Sequence, residues 1–250
     1  MKKRPVTPAE AVARIAADGA RVMIGGFMGV GSPHRLIDEL VRQQRRNLTL
    51  ICNDTARPGF GVGRLVDAGL VAKVITSHIG THPAVQRAML EGRIEVELVP
   101  QGTLAERIRA GAFGLGGVLT PTGVGTLAAE GKQTLVLPHG EFLVEMPLKA
   151  DVALIAARRA DYHGNLEYAL TARNFNPLMA MAATLTIAEA EDIVPVGSIP
   201  PDAVVTPGMV VSLLVSKGRD AWRDERRAAP KPARIPSGDR PTYSSDEGSQ

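Results

Sequence analysis

Over roughly its first hundred residues this chain trades short apolar runs for stretches with helical spacing at regular intervals. Arg21–Ile24, Leu48–Cys52, Val71–Thr76 and Ile94–Val99 read as strands. The stretches between them read as helices: Pro33–Arg45, with Leu36, Ile37, Leu40 and Val41 at helical spacing, then Gly61–Ala68 and Pro83–Glu91. Such alternation predicts an α/β fold: an open, mostly parallel sheet with helices on both faces, because parallel neighbours require crossover connections. Ligands of such sheets bind beyond the carboxyl ends of the strands.

From Gly114 to Met146 the pattern changes to glycine turns and short apolar runs. Here the sheet is predicted to gain antiparallel strands through a hairpin of Thr134–Leu137 and Phe142–Met146, joined by Pro138-His139-Gly140. Further strands are expected at Val152–Ala156, Leu185–Ala190 and Val210–Val215, and a helix at Asn176–Ala183 with Asn176 as its cap and Pro177 in its first position. Residues 1–217 read as one domain. Residues 218–250, rich in Pro, Ser, Arg and acidic side chains, read as a disordered tail without enough apolar surface for a core.

Composition removes several classes of function. The net charge of +3 owes much to arginines and lysines near the C-terminus, and 4% aromatic content leaves few platforms for stacking bases, which argues against nucleic-acid binding. One cysteine, Cys52, excludes an intrachain disulfide framework. No apolar run approaches the ~20 residues that span a bilayer, and no apolar segment of the secretory type follows Met1-Lys2-Lys3-Arg4-Pro5, so a cytoplasmic protein is expected.

The stretch Gly25-Gly26-Phe27-Met28-Gly29-Val30-Gly31-Ser32-Pro33 sits where the first strand should hand over to a helix. Its glycines can take positive φ and bring N–H groups close to a ligand, with Pro33 suited to the first helical turn. Taken alone, the stretch reads either as a ligand loop or as a tight turn. It lacks the Lys-Ser/Thr that follows a P-loop and the Gly-x-Gly-x-x-Gly of dinucleotide sites. Ser32 lies in no Gly-x-Ser-x-Gly elbow. His78 and His82 stand four apart, but Gly80 and Pro83 interrupt a continuous helix, and no metal is expected there. Glu97, Glu106, Glu130, Glu141 and Glu145 lie near the distinctive loops, and their spacing singles out none as nucleophile or base. Thr103 and Glu106 have the spacing of a capping box.

Gly25-Gly26-Phe27-x-x-x-Gly31-x-Pro33 resembles the signature of the alpha subunit of family I coenzyme A transferases. The likeness continues in order through Asn53-Asp54-Thr55, Ser77–Thr81, Glu95–Arg109, Thr120–Thr126 and Ala172–Ala183, covering about residues 5–216. It implies a coenzyme A transferase-type, Rossmann-like sheet and transfer of coenzyme A from an acyl-CoA to a free short-chain carboxylic or 3-oxo acid. It further implies that Gly25, Gly26, Phe27, Met28, Gly29, Val30 and Gly31 contact coenzyme A, aided by the helix that begins near Pro33. In this family a glutamate in a Ser-Glu-Asn-Gly-like motif of the beta subunit attacks the thioester, and the cycle is ping-pong through glutamyl-CoA. This chain has no such motif, so the resemblance implies a separate beta subunit, an α2β2 assembly, and coenzyme A thioester as substrate with no prosthetic group or metal.

Ser77-His78-Ile79-Gly80-Thr81 looks most like the acetate or butyrate–acetoacetate branch. Two other readings compete. A sensor domain for a phosphorylated metabolite would share the architecture but lacks an obvious helix-turn-helix segment. A sugar-phosphate isomerase would need a self-contained acid–base pair, and the sequence offers no convincing one.

Overall fold

The computed structural model describes residues 2–216. In chain order the elements are α1 (Pro8–Val12), β1 (Arg21–Ile24), α2 (His34–Arg42), β2 (Leu48–Ile51), α3 (Gly63–Asp67), β3 (Val71–Thr76), α4 (Pro83–Leu90), β4 (Glu95–Leu98) and α5 (Gln101–Phe113). There follow β5 (Val118–Thr120), β6 (Thr134–Leu137), β7 (Gly140–Glu145), β8 (Ala150–Asp161), β9 (Leu166–Glu167), α6 (Asn176–Met181), β10 (Ala183–Val194) and β11 (Leu213–Ser216). The tail expected at 218–250 lies outside the described residues.

The main sheet runs β11-β10-β8-β1-β2-β3-β4, every neighbouring pair parallel, and the short β9 adds antiparallel to β8. Alternate residues of each strand serve opposite faces. Val22, Ile24, Leu50 and Val74 join Leu36, Ile37 and Leu40 of α2, with residues of α1, α3 and α4, in one apolar cluster. Met23, Ile51, Ile75, Ala153 and Ile155 join Leu104 and Ile108 of α5 and Met179 of α6 in the other. Helices therefore cover both faces, as a parallel sheet requires.

Chain order reverses at the middle of the sheet: from β1 it proceeds to β2, β3 and β4, whereas β8, on the other flank of β1, leads to β10 and β11. That reversal is the topological switch point, where a crevice opens outside the carboxyl ends of the strands. The glycine stretch starts there.

Three expectations need correction. The hairpin forms, but β5, β7 and β6 make a separate three-stranded antiparallel sheet rather than extending the main one. Leu143 of β7 is buried, but the consecutive Leu135 and Val136 of β6 point to opposite faces and both stay exposed, so β6 cannot serve as a two-sided interior strand. Thr103 and Glu106 do not form a capping box. Helix α5 starts at Gln101 with Pro100 as its N-cap, which puts Thr103 already inside the first turn, and Glu106 pairs with Arg109 instead. The box lies at Thr7 and Glu10, where the Glu10 N–H donates to Thr7 Oγ1 at 3.2 Å and the Thr7 N–H to Glu10 Oε2 at 2.8 Å, holding the Glu10 carboxyl below its usual range. Nor does Asn176 cap α6. It is the first helical residue, Phe175 is the N-cap, and the Asn176 side chain is drawn away to the glycine stretch.

Candidate active site at the carboxyl edge of the sheet

Gly25 to Gly31 form a tight turn. Phe27 and Val30 exchange both backbone hydrogen bonds, at 3.0 and 2.8 Å. The Gly25 N–H stays with the sheet, donating to the Leu154 carbonyl of β8 at 3.0 Å. The Gly26 N–H donates to Asn174 Oδ1 at 3.2 Å, and the Met28 N–H to Asp54 Oδ2 at 2.8 Å. Only the N–H groups of Gly29 and Gly31 are left without an acceptor among the described residues. The sequence suggested a cradle of open N–H groups; folding uses most of them to hold the turn in shape.

The turn needs its glycines for space as well as for φ. Gly29 has φ of +82°, and a Cβ there would lie 2.1 Å from the Phe60 ring. That ring packs against His34, tilted by 42° with centroids 4.9 Å apart, and lies under the Arg57 guanidinium. Met28 at φ +50° is a non-glycine residue in the left-handed region, an arrangement that persists where surroundings enforce it. Its enforcer is the buried Asp54, whose carboxylate also accepts from Asn53 Nδ2 and the Ala56 N–H.

Four further side chains fix the stretch. Ser32 Oγ donates to the Gly25 carbonyl at 2.9 Å. His34 has Nε2 3.1 Å from the Gly29 carbonyl and Nδ1 3.0 Å from Arg64 Nη2. Because a carbonyl only accepts and a guanidinium only donates, these two contacts suit the tautomer with N–H at Nε2 and a lone pair at Nδ1. Asn176, fully buried, accepts from the Ala156 N–H of β8 and donates to the Gly31 and Ala172 carbonyls. Asn174 bonds both limbs of the turn, at Gly26 and Val30.

The helix start near Pro33 is not open to a ligand. Pro33 is the N-cap rather than a first-turn residue, and the buried Glu189 of β10 directs its carboxylate at the Leu36 and Arg35 N–H groups, at 3.0 and 3.4 Å. The positive end of the α2 dipole already holds an anion of this chain.

Around the turn, the ends of β2 and β3 are stitched to α5: Gln101 Nε2 donates to Asn53 Oδ1 at 2.6 Å and Ser77 Oγ to the Asn53 carbonyl at 2.6 Å. His78 and His82 do not converge, since His78 is exposed while His82 is buried with Nε2 3.4 Å from Asp67 Oδ1. Among the described residues no three His, Cys, Asp or Glu side chains are grouped to hold a metal ion. Of the glutamates weighed from sequence, Glu97 and Glu145 pair with Arg107, and Glu145 also with Lys132, while Glu130 and Glu141 are exposed. Patterning singled out none of Asn174, Asp54 and Glu189, and marked Asn176 only as a helix cap, because each acts on backbone groups far away in the chain.

Cys52 directly follows β2 beneath this site. Burial, with the Asp54 charge nearby, pushes its thiol well above the usual range. As the chain's one cysteine it gives an unambiguous readout. Iodoacetamide is expected to label the native chain at least about a hundredfold more slowly than free cysteine, and fully after denaturation, as judged by intact mass; prompt native labelling would show the β2 end to be open.

A parallel sheet with a clamped glycine turn at its switch point defines an α/β protein of the class whose ligands bind at the carboxyl edge. The sequence model of the Coenzyme A transferase family matches residues 6–217, and the chain belongs to that family. It is 54% identical over 198 residues to the acetate CoA-transferase subunit alpha of Escherichia coli (strain K12), covering 79% of this chain and 90% of that one. It is 48% identical over 200 residues to the acetoacetyl-CoA:acetate/butyrate CoA transferase alpha subunit of Clostridium acetobutylicum, covering 80% and 92%. The fold recurs, at 22% identity and a TM-score of 0.77, in an acyl-CoA transferase of E. coli O157:H7 crystallised as a thioester complex with CoA; the match covers 86% of this chain and 47% of that one. Among the described residues no helix is long and apolar enough to cross a membrane.

Proposed function

We propose that this chain is the alpha subunit of a transferase that moves coenzyme A between an acyl-CoA and a short-chain carboxylic or 3-oxo acid, of the acetate or acetoacetate type. The observation that carries the reading is the family match over residues 6–217; in this reading the glycine turn at the switch point is the subunit's coenzyme A contact. Phe27 and Val30, about half exposed at the tip, offer apolar contact, and the Gly29 and Gly31 N–H groups offer donors.

The nucleophile belongs to a beta subunit in this proposal. The two carboxylates in the turn's own bonding network are committed: Asp54 accepts from three N–H donors and Glu189 serves the α2 terminus. A partner glutamate oxygen would attack the thioester carbonyl and expel coenzyme A as thiolate, leaving a mixed anhydride. The thiolate then attacks the glutamyl carbonyl, releasing the first acid and forming glutamyl-CoA, and the second acid reverses both steps. Each intermediate is an activated acyl group, so water must be excluded, and binding energy from the remote parts of coenzyme A is available to position the reacting end. Two copies of each subunit in α2β2 is the proposed assembly.

The test is co-expression with the neighbouring beta-subunit gene and measurement of label exchange between acetoacetyl-CoA or butyryl-CoA and acetate. Exchange by the purified complex and none by this chain alone is the expected result. Robust exchange by the single chain would overturn the division of labour, and a complex that binds sugar phosphates tightly without preferring coenzyme A would favour the sensor reading.

A further inference from the structure

We infer that Asn174 is a positioning residue for the acyl-CoA, acting through the glycine turn; the inference rests on the coenzyme A role proposed for that turn. Among the described residues its side chain alone bonds both limbs: Oδ1 accepts from the Gly26 N–H at 3.2 Å and Nδ2 donates to the Val30 carbonyl at 3.1 Å. Nδ2 also donates to the Thr171 carbonyl at 2.7 Å, which ties the amide to the segment leading into α6.

The bond to Val30 has a consequence one atom further on. The Val30 carbonyl and the Gly31 N–H belong to one planar trans peptide, so fixing the direction of the oxygen fixes the direction of the N–H opposite it. Gly31 has one of the two N–H groups of the turn with no acceptor among the described residues. At Gly31, φ is +75° and a Cβ would meet Ala172 Cα at 2.8 Å, so this end of the turn lies close against the segment that leads into Asn174. Asn174 therefore aims a donor without itself touching the ligand.

Its setting separates this role from general stability. Asn176 is wholly buried and bonds three backbone groups, and Asp54 is buried under the turn, so removing either unsettles the fold. Asn174 is only partly buried, in a turn that starts at Leu170, itself 94% exposed and at φ +50°. Truncating it frees the turn while leaving both apolar clusters intact.

The experiment uses the full chain co-purified with its partner subunit, as wild type, Asn174→Ala and Asn174→Asp. Initial rates are measured with acyl-CoA and acid varied separately, alongside amide hydrogen exchange and thermal unfolding. For Asn174→Ala we expect the KM for acyl-CoA to rise about tenfold, the weight of one to two ordinary hydrogen bonds, with the KM for the acid unchanged and the Gly26 amide exchanging faster. Asn174→Asp keeps an acceptor for Gly26 but cannot donate to Val30. It is expected to match Asn174→Ala in KM while restoring protection at Gly26, a split that loss of stability would not produce. Equal rises in both KM values, accompanied by a lowered melting temperature, would overturn the inference. Unchanged exchange and unchanged KM would overturn it and leave the coenzyme A role of the turn standing. Faster exchange at Gly26 with wild-type KM for acyl-CoA would overturn it by showing that the turn does not serve the thioester.

Discussion

Alanine at position 25 is expected to destabilise the protein by about 4 kcal/mol, through overpacking and the loss of a buried hydrogen bond. Gly25 does not have positive φ, so the cause is space: a Cβ there would lie 1.8 Å from Asn176 Oδ1 and 2.6 Å from its Cγ. Neither side can yield. The Gly25 N–H is bonded to Leu154 as part of the β1–β8 junction, and Asn176 is held by bonds to Ala156, Gly31 and Ala172. Pushing Asn176 aside orphans the Ala156 N–H in the interior, which alone costs about 1–3 kcal/mol. In a domain of this size 4 kcal/mol corresponds to a fall of about 8–16 °C in melting temperature. Gly102→Ala is the matched control, for no atom lies within 4 Å of its Cβ position and the residue is helical. A double variant, Gly25→Ala with Asn176→Ala, is expected to cost less than the sum of the two, since truncating Asn176 removes the atoms that the new Cβ would strike. A Gly25→Ala protein that melts within about 2 °C of wild type would remove the steric account of this junction.

Periodicity carried most of the fold because buried parallel strands are nearly continuous apolar runs. β1 and β3 fall where the apolar runs do, and β2 and β4 differ from expectation by a residue at their ends. The two longest strands were read short. Arg158 and Arg159 end the apolar run of β8, yet the strand continues to Asp161, because β10 pairs with it through Val194 and Glu167 of β9 binds Arg159 across the ladder. A strand end set by its neighbours leaves no local mark. A different reason, shortness, hid α1. Its Thr7-Pro8-Ala9-Glu10 carries the capping-box signal, but five residues are too few for a visible apolar stripe.

The site was legible as a glycine turn at a strand end and not as a clamp. Which N–H groups are open depends on Asn174, Asp54 and Glu189, and these meet the loop or its helix across 148, 26 and 153 residues of chain. No spacing rule reaches that far. What sequence could have flagged is chemical oddity: two asparagines flanking Phe175 ahead of a proline, and a glutamate inside the apolar run of β10, are polar groups where burial demands partners.

Glu189 gives the second large effect, and two terms compete in it. Removing a buried carboxylate can be neutral or favourable, since its desolvation no longer opposes folding. Against that, Glu189→Leu leaves the Arg35 and Leu36 N–H groups without an acceptor at the start of α2, where Pro33 supplies no side-chain cap. Each orphaned donor costs about 1–3 kcal/mol and the lost charge at the helix dipole about 0.3–1 more, so the loss wins by about 3–5 kcal/mol. Glu189→Gln keeps one acceptor oxygen, enough for the Leu36 N–H but not for the Arg35 N–H as well, and gives up the charge, with an expected cost of about 2 kcal/mol. Urea unfolding separates them, because both variants keep the surface exposed on unfolding and should differ in midpoint rather than slope. Equal midpoints for Leu and Gln would mean that water or backbone rearrangement serves the helix end, and the terminus would then be open to a ligand's negative charge after all. The predicted ordering, wild type above Gln and Gln well above Leu, places the anion of α2 within the protein itself. Under the proposed function, the negative groups of an acyl-CoA would then be met elsewhere, at the N–H groups of Gly29 and Gly31 or on the proposed partner subunit.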